Sequence, residues 1–191
     1  IIDPLVADAL GHGRVGPRHH AATRPPEAEA RATRRAIEMA RRAEAPLYIV
    51  HLSCEGALEA VAEAKGRGEP VYAETCPHYL TFTDALYADP DDAEVMKRVI
   101  SPPLRSRTDV DALWAGINEG SIASVGSDHA PHTVEEKSVG FGAAPAFQAP
   151  NAVSSIGKIL SIVVSPVTMT VELPGLNQSA CHRIKSSRVM P

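Results

Sequence analysis

Leu47-Tyr48-Ile49-Val50-His51-Leu52 is a short, mostly apolar run with β-branched residues, and it carries a histidine near its end. It predicts a strand over 47–52, apolar enough to be buried on both faces. Upstream, Arg24-Pro25-Pro26-Glu27 opens a helix: proline is tolerated in the first turn, and Glu27 and Glu29 lie at the positive end of the aligned peptide dipoles. Ala36, Ile37, Ala40 and Ala43 recur at helical spacing, and Pro46 closes the segment. Downstream, Leu58, Val61 and Ala62 mark a second helix ended by Gly66 and Gly68, and Val71-Tyr72-Ala73-Glu74-Thr75 is a second strand. The stretch from Asp89-Pro90-Asp91-Asp92 to Ile100-Ser101-Pro102-Pro103 reads as irregular. Thr108 is expected to cap a helix carrying Val110, Leu113, Trp114 and Ile117, with Trp114 in the core and Gly120 past the end. Ile122–Gly126 is the third strand.

Strand, helix, strand, helix, strand is the pattern of βαβ units and a parallel sheet. A complete eight-stranded α/β barrel takes about 250 residues. A chain of 191 residues holds only part of one, and a doubly wound sheet is equally compatible with the periodicity.

Composition narrows the function. The chain is 44% apolar, with 19 basic and 23 acidic side chains and a net charge of -4. Without a basic stripe or polybasic run there is no electrostatic case for nucleic acid or an anionic membrane. No run approaches the roughly 18 apolar residues of a membrane span, and no signal peptide is read at the start. Three cysteines without metal-ligand spacing suggest a reduced, cytoplasmic chain, with Cys54 and Cys76 as buried, inert thiols. Charge shifts from -7 over residues 1–150 to +3 over 151–191, and the last segment is rich in Ser, Val and Thr. The expected division is a domain over 1–153 and an irregular tail over 154–191.

Each predicted strand leads to polar residues at its carboxyl end: His51 after the first, Glu74-Thr75-Cys76-Pro77-His78 after the second, Ser127-Asp128-His129 after the third. In parallel α/β folds that end of the sheet is where catalysis is built. His51 alone reads as a core histidine bonded to a carbonyl, and Asp128 alone as a turn residue. Together they read better as imidazole and carboxylate donors to a shared divalent ion such as zinc. Beside such an ion Asp128 can also accept a proton from water and pass it to a leaving nitrogen. His129 and His132 are loop residues or substrate contacts. Gly11-His12-Gly13 and His19-His20 read as loop, and Glu135-Glu136-Lys137 as a solvated stretch.

Five motifs occur in an order that resembles the cyclic amidohydrolases, most closely the hydantoinase/dihydropyrimidinase branch. They are Arg24-Pro25-Pro26-Glu27-Ala28-Glu29-Ala30, the strand Leu47–Cys54, Glu74-Thr75-Cys76-Pro77-His78-Tyr79-Leu80, Ser101-Pro102-Pro103-Leu104-Arg105, and Ser127-Asp128-His129-Ala130-Pro131. The resemblance implies an α/β fold that is a partial TIM-like (β/α) barrel of the metal-dependent hydrolase type, about strands 6 to 8. It implies hydrolysis of a C–N bond in a cyclic amide, the opening of a hydantoin or dihydropyrimidine ring, by a metal-activated hydroxide. His51 would be a metal ligand, and Asp128 both ligand and proton shuttle. Ser101 and Asn151 would touch the substrate through their backbones. The complete enzymes hold two zinc ions bridged by a carboxylated lysine, and a dimer or tetramer is expected of them. That lysine and the family's other histidine ligands do not occur in this chain, so the isolated chain is expected to be incomplete and inactive. His132 is also reminiscent of dihydroorotases, where it would help bind a substrate carboxylate, and Glu74–Leu80 resembles allantoinases. A reading of another class is a non-catalytic dihydropyrimidinase-like scaffold or a truncated product without function.

Overall fold

The computed structural model describes residues 1–129 together with 132, 133, 136 and 137. Asn151 and the expected boundary at 153/154 lie outside the described residues.

A helix, α1 (Ile2–Gly11), and two 3-10 turns, Pro17–His19 and Ala21–Thr23, lead into α2 (Pro26–Arg42), β1 (Leu47–Ile49), α3 (Glu55–Gly66) and β2 (Val71–Thr75). A short α4 (Pro77–Thr81), a 3-10 turn at Asp84–Ala88, α5 (Asp92–Lys97), α6 (Arg107–Asn118) and β3 (Ser124–Val125) follow. The three strands form one parallel sheet in the order β1-β2-β3, with Leu47 opposite Val71 and Glu74 opposite Ser124. The expected partial α/β architecture is what is observed.

The helices cover one face of this sheet. Along β2, Val71, Ala73 and Thr75 are buried, while Tyr72 and Glu74 on the opposite face are only half-buried. α3 turns Ala57, Ala60, Val61 and Ala64 into the core, and α6 adds Val110 and Leu113. The two helices approach closely at Gly116, where an added Cβ would lie 2.8 Å from Leu58 Cδ2. An alanine there would force the Leu58 side chain to shift.

The strand over 47–52 is therefore not buried on both faces. Tyr48 is 48% exposed. Its hydroxyl donates to Glu74 Oε2 at 2.9 Å and lies 2.6 Å from Ser124 Oγ. Tyr48, Glu74 and Ser124 form a polar row across the face that no described helix covers, and Gly126 makes room for it. A Cβ at Gly126 would lie 2.4 Å from Glu74 Oε1.

The first residues form a helix ahead of the stretch read as loop, and His20, within that stretch, is wholly buried. Three local expectations are corrected. The stretch from 89 to 103 contains α5, whose first turn Asp91 caps. The N-cap of α6 is Ser106, not Thr108: Ser106 accepts from the Asp109 amide, and the Asp109 carboxylate returns a bond to the Ser106 backbone, a reciprocal box. Trp114 is 44% exposed instead of core, because its indole N–H turns to donate to the Leu80 carbonyl at 3.0 Å.

Candidate functional site

β1 and β3 deliver their polar residues by the same local device. His51 has φ 43° and Asp128 has φ 45°, so both occupy the left-handed region just beyond the carboxyl end of their strands. Non-glycine residues are uncommon there, His and Asp being among the more tolerated, and such backbones cluster at functional sites. Backbone bonds fix both turns: the Leu52 amide donates to the Glu74 carbonyl at 2.8 Å, and the Gly126 amide to that of Thr75 at 3.0 Å. Thr75 also donates its hydroxyl to the Leu52 carbonyl at 2.7 Å, tying β2 to the turn that carries His51.

Between them lies His78, in the first turn of α4. Its side chain is wholly buried, and among the described residues neither ring nitrogen has a hydrogen-bond partner. Burial lowers its pKa to about 4; the Asp128 carboxylate opposes that shift and the His51 imidazole adds to it. The imidazoles of His51 and His78 and the carboxylate of Asp128 thus share one electrostatic neighbourhood. Cys76 lies beside them, its thiol pushed up to about 12 by burial, then by Asp128 and Glu74. Cys54 is likewise pushed to about 12 by burial. Both are buried free thiols held in the protonated form, in keeping with their reading as inert.

Buried imidazole nitrogens without partners are costly and uncommon, and those of His78 mark this strand end as a polar site. His51 and Asp128 offer the nitrogen and oxygen that a divalent ion such as zinc accepts. Among the described residues, however, no group of three or more His, Cys, Asp or Glu side chains is arranged to hold a metal.

Ser101 lies on a different segment, half-buried, its hydroxyl 3.1 Å from His20 Nε2 and its peptide bond to Pro102 cis. His132 faces Glu136, with Nδ1 3.7 Å from Oε2.

Two other features were hidden in the sequence. Arg105 is nearly buried; it donates to Glu29 Oε2 at 3.0 Å, Ser53 Oγ at 3.1 Å and the Arg24 carbonyl at 2.7 Å. Glu29 also accepts from the Ser53 amide at 2.7 Å. The motifs at Arg24–Ala30, Leu47–Cys54 and Ser101–Arg105 therefore meet in one network, which only their order along the chain hinted at. Lys137, expected in a solvated stretch, is wholly buried. It donates to the carbonyls of Lys97 and Val99 at 3.2 and 3.0 Å, and those bonds hold it inside.

The chain is similar to D-hydantoinase from Geobacillus stearothermophilus, 43% identical over 128 residues, which cover 67% of this chain and 27% of that protein. Among solved structures, D-hydantoinase from Bacillus sp. AR9 matches with a TM-score of 0.77 and 41% identity over 82% of this chain and 34% of that one. Dihydropyrimidinase from Brevibacillus agri NCHU1002 matches with a TM-score of 0.77 and 40% identity over 84% and 35%. No family model matches the chain. The chain spans about a quarter of the length of the curated relatives it matches.

Proposed function

Since the chain belongs to the hydantoinase/dihydropyrimidinase branch of the cyclic amidohydrolases, we propose that it contributes part of the active site of an enzyme that opens a cyclic amide ring by hydrolysis of a C–N bond. The observation that carries this reading is the shared neighbourhood of His51, His78 and Asp128 at the carboxyl end of a parallel sheet. His51 and Asp128 would hold a divalent metal, zinc by the chemistry of the donors, together with ligands from outside this chain. When bound, such a metal polarises the ring carbonyl and lowers the pKa of water.

The chain's own residues then have distinct tasks. The Asp128 carboxylate accepts a proton from the attacking water and returns it to the departing ring nitrogen. The backbone of Ser101 holds the ring amide in register with that carboxylate. His132 and Asn151 complete the contacts to the substrate, a small hydantoin or dihydropyrimidine. A reduced, cytoplasmic setting belongs to the same proposal and rests on the free, buried thiols of Cys54 and Cys76.

A chimaera tests it, with the rest of the barrel supplied from a related hydantoinase. Opening of hydantoin and dihydrouracil is expected with Asp128 in place, and Asp128→Ala and His51→Ala should each lower kcat by a factor of about 100 or more. Equal rates in parent and Asp128→Ala would remove Asp128 from the mechanism. The donor set of the described residues favours a second reading, a non-catalytic segment of the same fold. Tight, stoichiometric zinc on the purified chain that is lost in His51→Ala would count against it.

A further inference from the structure

Two buried polar side chains close on one short stretch of backbone from different parts of the chain. From beyond β3, Lys137 donates its ammonium to the carbonyls of Lys97, at 3.2 Å, and Val99, at 3.0 Å. From the turn before α2, His20 places Nε2 3.2 Å from the Ile100 carbonyl and 3.1 Å from Ser101 Oγ. The stretch 97–101 leaves the end of α5 and runs directly into Ser101, and both side chains that hold it are wholly buried.

Lysine is an expensive choice for this position. Its ammonium must leave water, and among the described residues no carboxylate pairs with it. A methionine of similar length would fill the same volume at no such cost. What lysine adds is direction: two hydrogen bonds to carbonyls two residues apart, which fix the backbone as apolar packing cannot.

We propose that Lys137 is a positioning residue whose ammonium clamps the segment after β3, with Asp128 and His132, to the Lys97–Ser101 backbone, which His20 also holds at Ile100 and Ser101. The functional half of this rests on the ring-opening reading, in which Asp128 and Ser101 act on one substrate from separate segments. Their relative placement then decides how the ring amide meets the carboxylate, and a displacement of about 1 Å is enough to cost activity.

Amide hydrogen exchange on the intact chain tests the clamp. Lys137→Met is expected to speed exchange at residues 98–101 and 126–129 by about ten-fold or more, with α3 and β2 unchanged, and Lys137→Arg to restore much of the protection. Unaltered exchange, or an equal rise everywhere, would overturn it. Should Lys137→Met fail to fold, acetylation of the native chain by an N-hydroxysuccinimide ester decides. Lys137 is expected to react at least about ten times more slowly than Lys65, and equal rates would overturn the clamp. Hydantoin opening by the hydantoinase chimaera reads the functional half: Lys137→Met placed in it should raise KM about ten-fold with kcat within about two-fold. An unchanged KM in an active protein would sever the link to Ser101. A chimaera with Lys137 in place that opens no ring, with exchange responding locally in the chain itself, would remove the hydrolase reading and leave the clamp standing.

Discussion

Arg105 and Glu29 meet at 3.0 Å with both side chains nearly out of water, joining the residue after the Pro102-Pro103-Leu104 run to the first turn of α2. Ser53 lies between them, so the pair also fixes the chain just after His51. Removing one partner leaves a buried charge without compensation, which costs about 3–5 kcal/mol. Arg105→Met is expected to lower unfolding stability by that order, and Glu29→Met combined with Arg105→Met by much less. Urea denaturation of the two variants measures the difference.

Gly126 faces the Glu74 carboxylate at a distance no Cβ tolerates. Gly126→Ala must displace that carboxylate and with it the Tyr48 hydroxyl bond, a loss of about 1–3 kcal/mol. In a Glu74→Ala background the same substitution should cost far less. Additive effects in a double-mutant cycle would contradict the contact.

The His20 pKa is lowered to about 4 from an ordinary 6.5, first by burial and then by the nearby Arg24 charge. Between those two values the unfolded chain binds more protons than the folded one. Stability therefore rises with pH from about 4 to 6.5 and is lost on acidification through that window, by up to about 3 kcal/mol for this side chain. His20→Gln should flatten the profile of stability against pH there; an unchanged slope would assign it to other groups.

Lys137 titrates in the opposite region. Burial lowers its pKa from 10.5 to about 8, so between those values the unfolded state again holds more protons. Its contribution to stability grows as pH rises from about 8 to 10.5. The difference in stability between the wild type and Lys137→Met should move in favour of the wild type over that range, as thermal melts in matched buffers would record.

At α6, Ser106→Ala removes a reciprocal cap and should cost about 1 kcal/mol, whereas Thr108→Ala should change stability by less than about 0.5 kcal/mol. Chemical denaturation distinguishes the two hydroxyls.

The elements most legible in the sequence were those whose local signals agree. Val71–Thr75 coincides with β2, and the proline and glutamates at 26–29 mark the start of α2. At α6 two hydroxyls compete for the cap, and the Asp three residues after Ser106 is the signal that would have decided it. β1 misled for another reason: Leu47–Val50 is apolar throughout, so period-2 alternation cannot say which side is covered, and Tyr48 solves its exposure with a hydroxyl bond. Lys137 was illegible because two glutamates precede it, and a charge run looks the same whether its last member points outward or into the interior. For the candidate site, the strand ends point to His51 and Asp128. The burial of His78 between them depends on how α4 packs, which no local pattern encodes.

The matching left-handed turns at His51 and Asp128 carry a wider implication. Two units far apart in the chain present unlike functional groups on one backbone shape, so the shape is a socket and the side chain a fitting. What can be fitted is limited to the few residue types, Asn, Asp, His and Gly foremost, that accept that backbone.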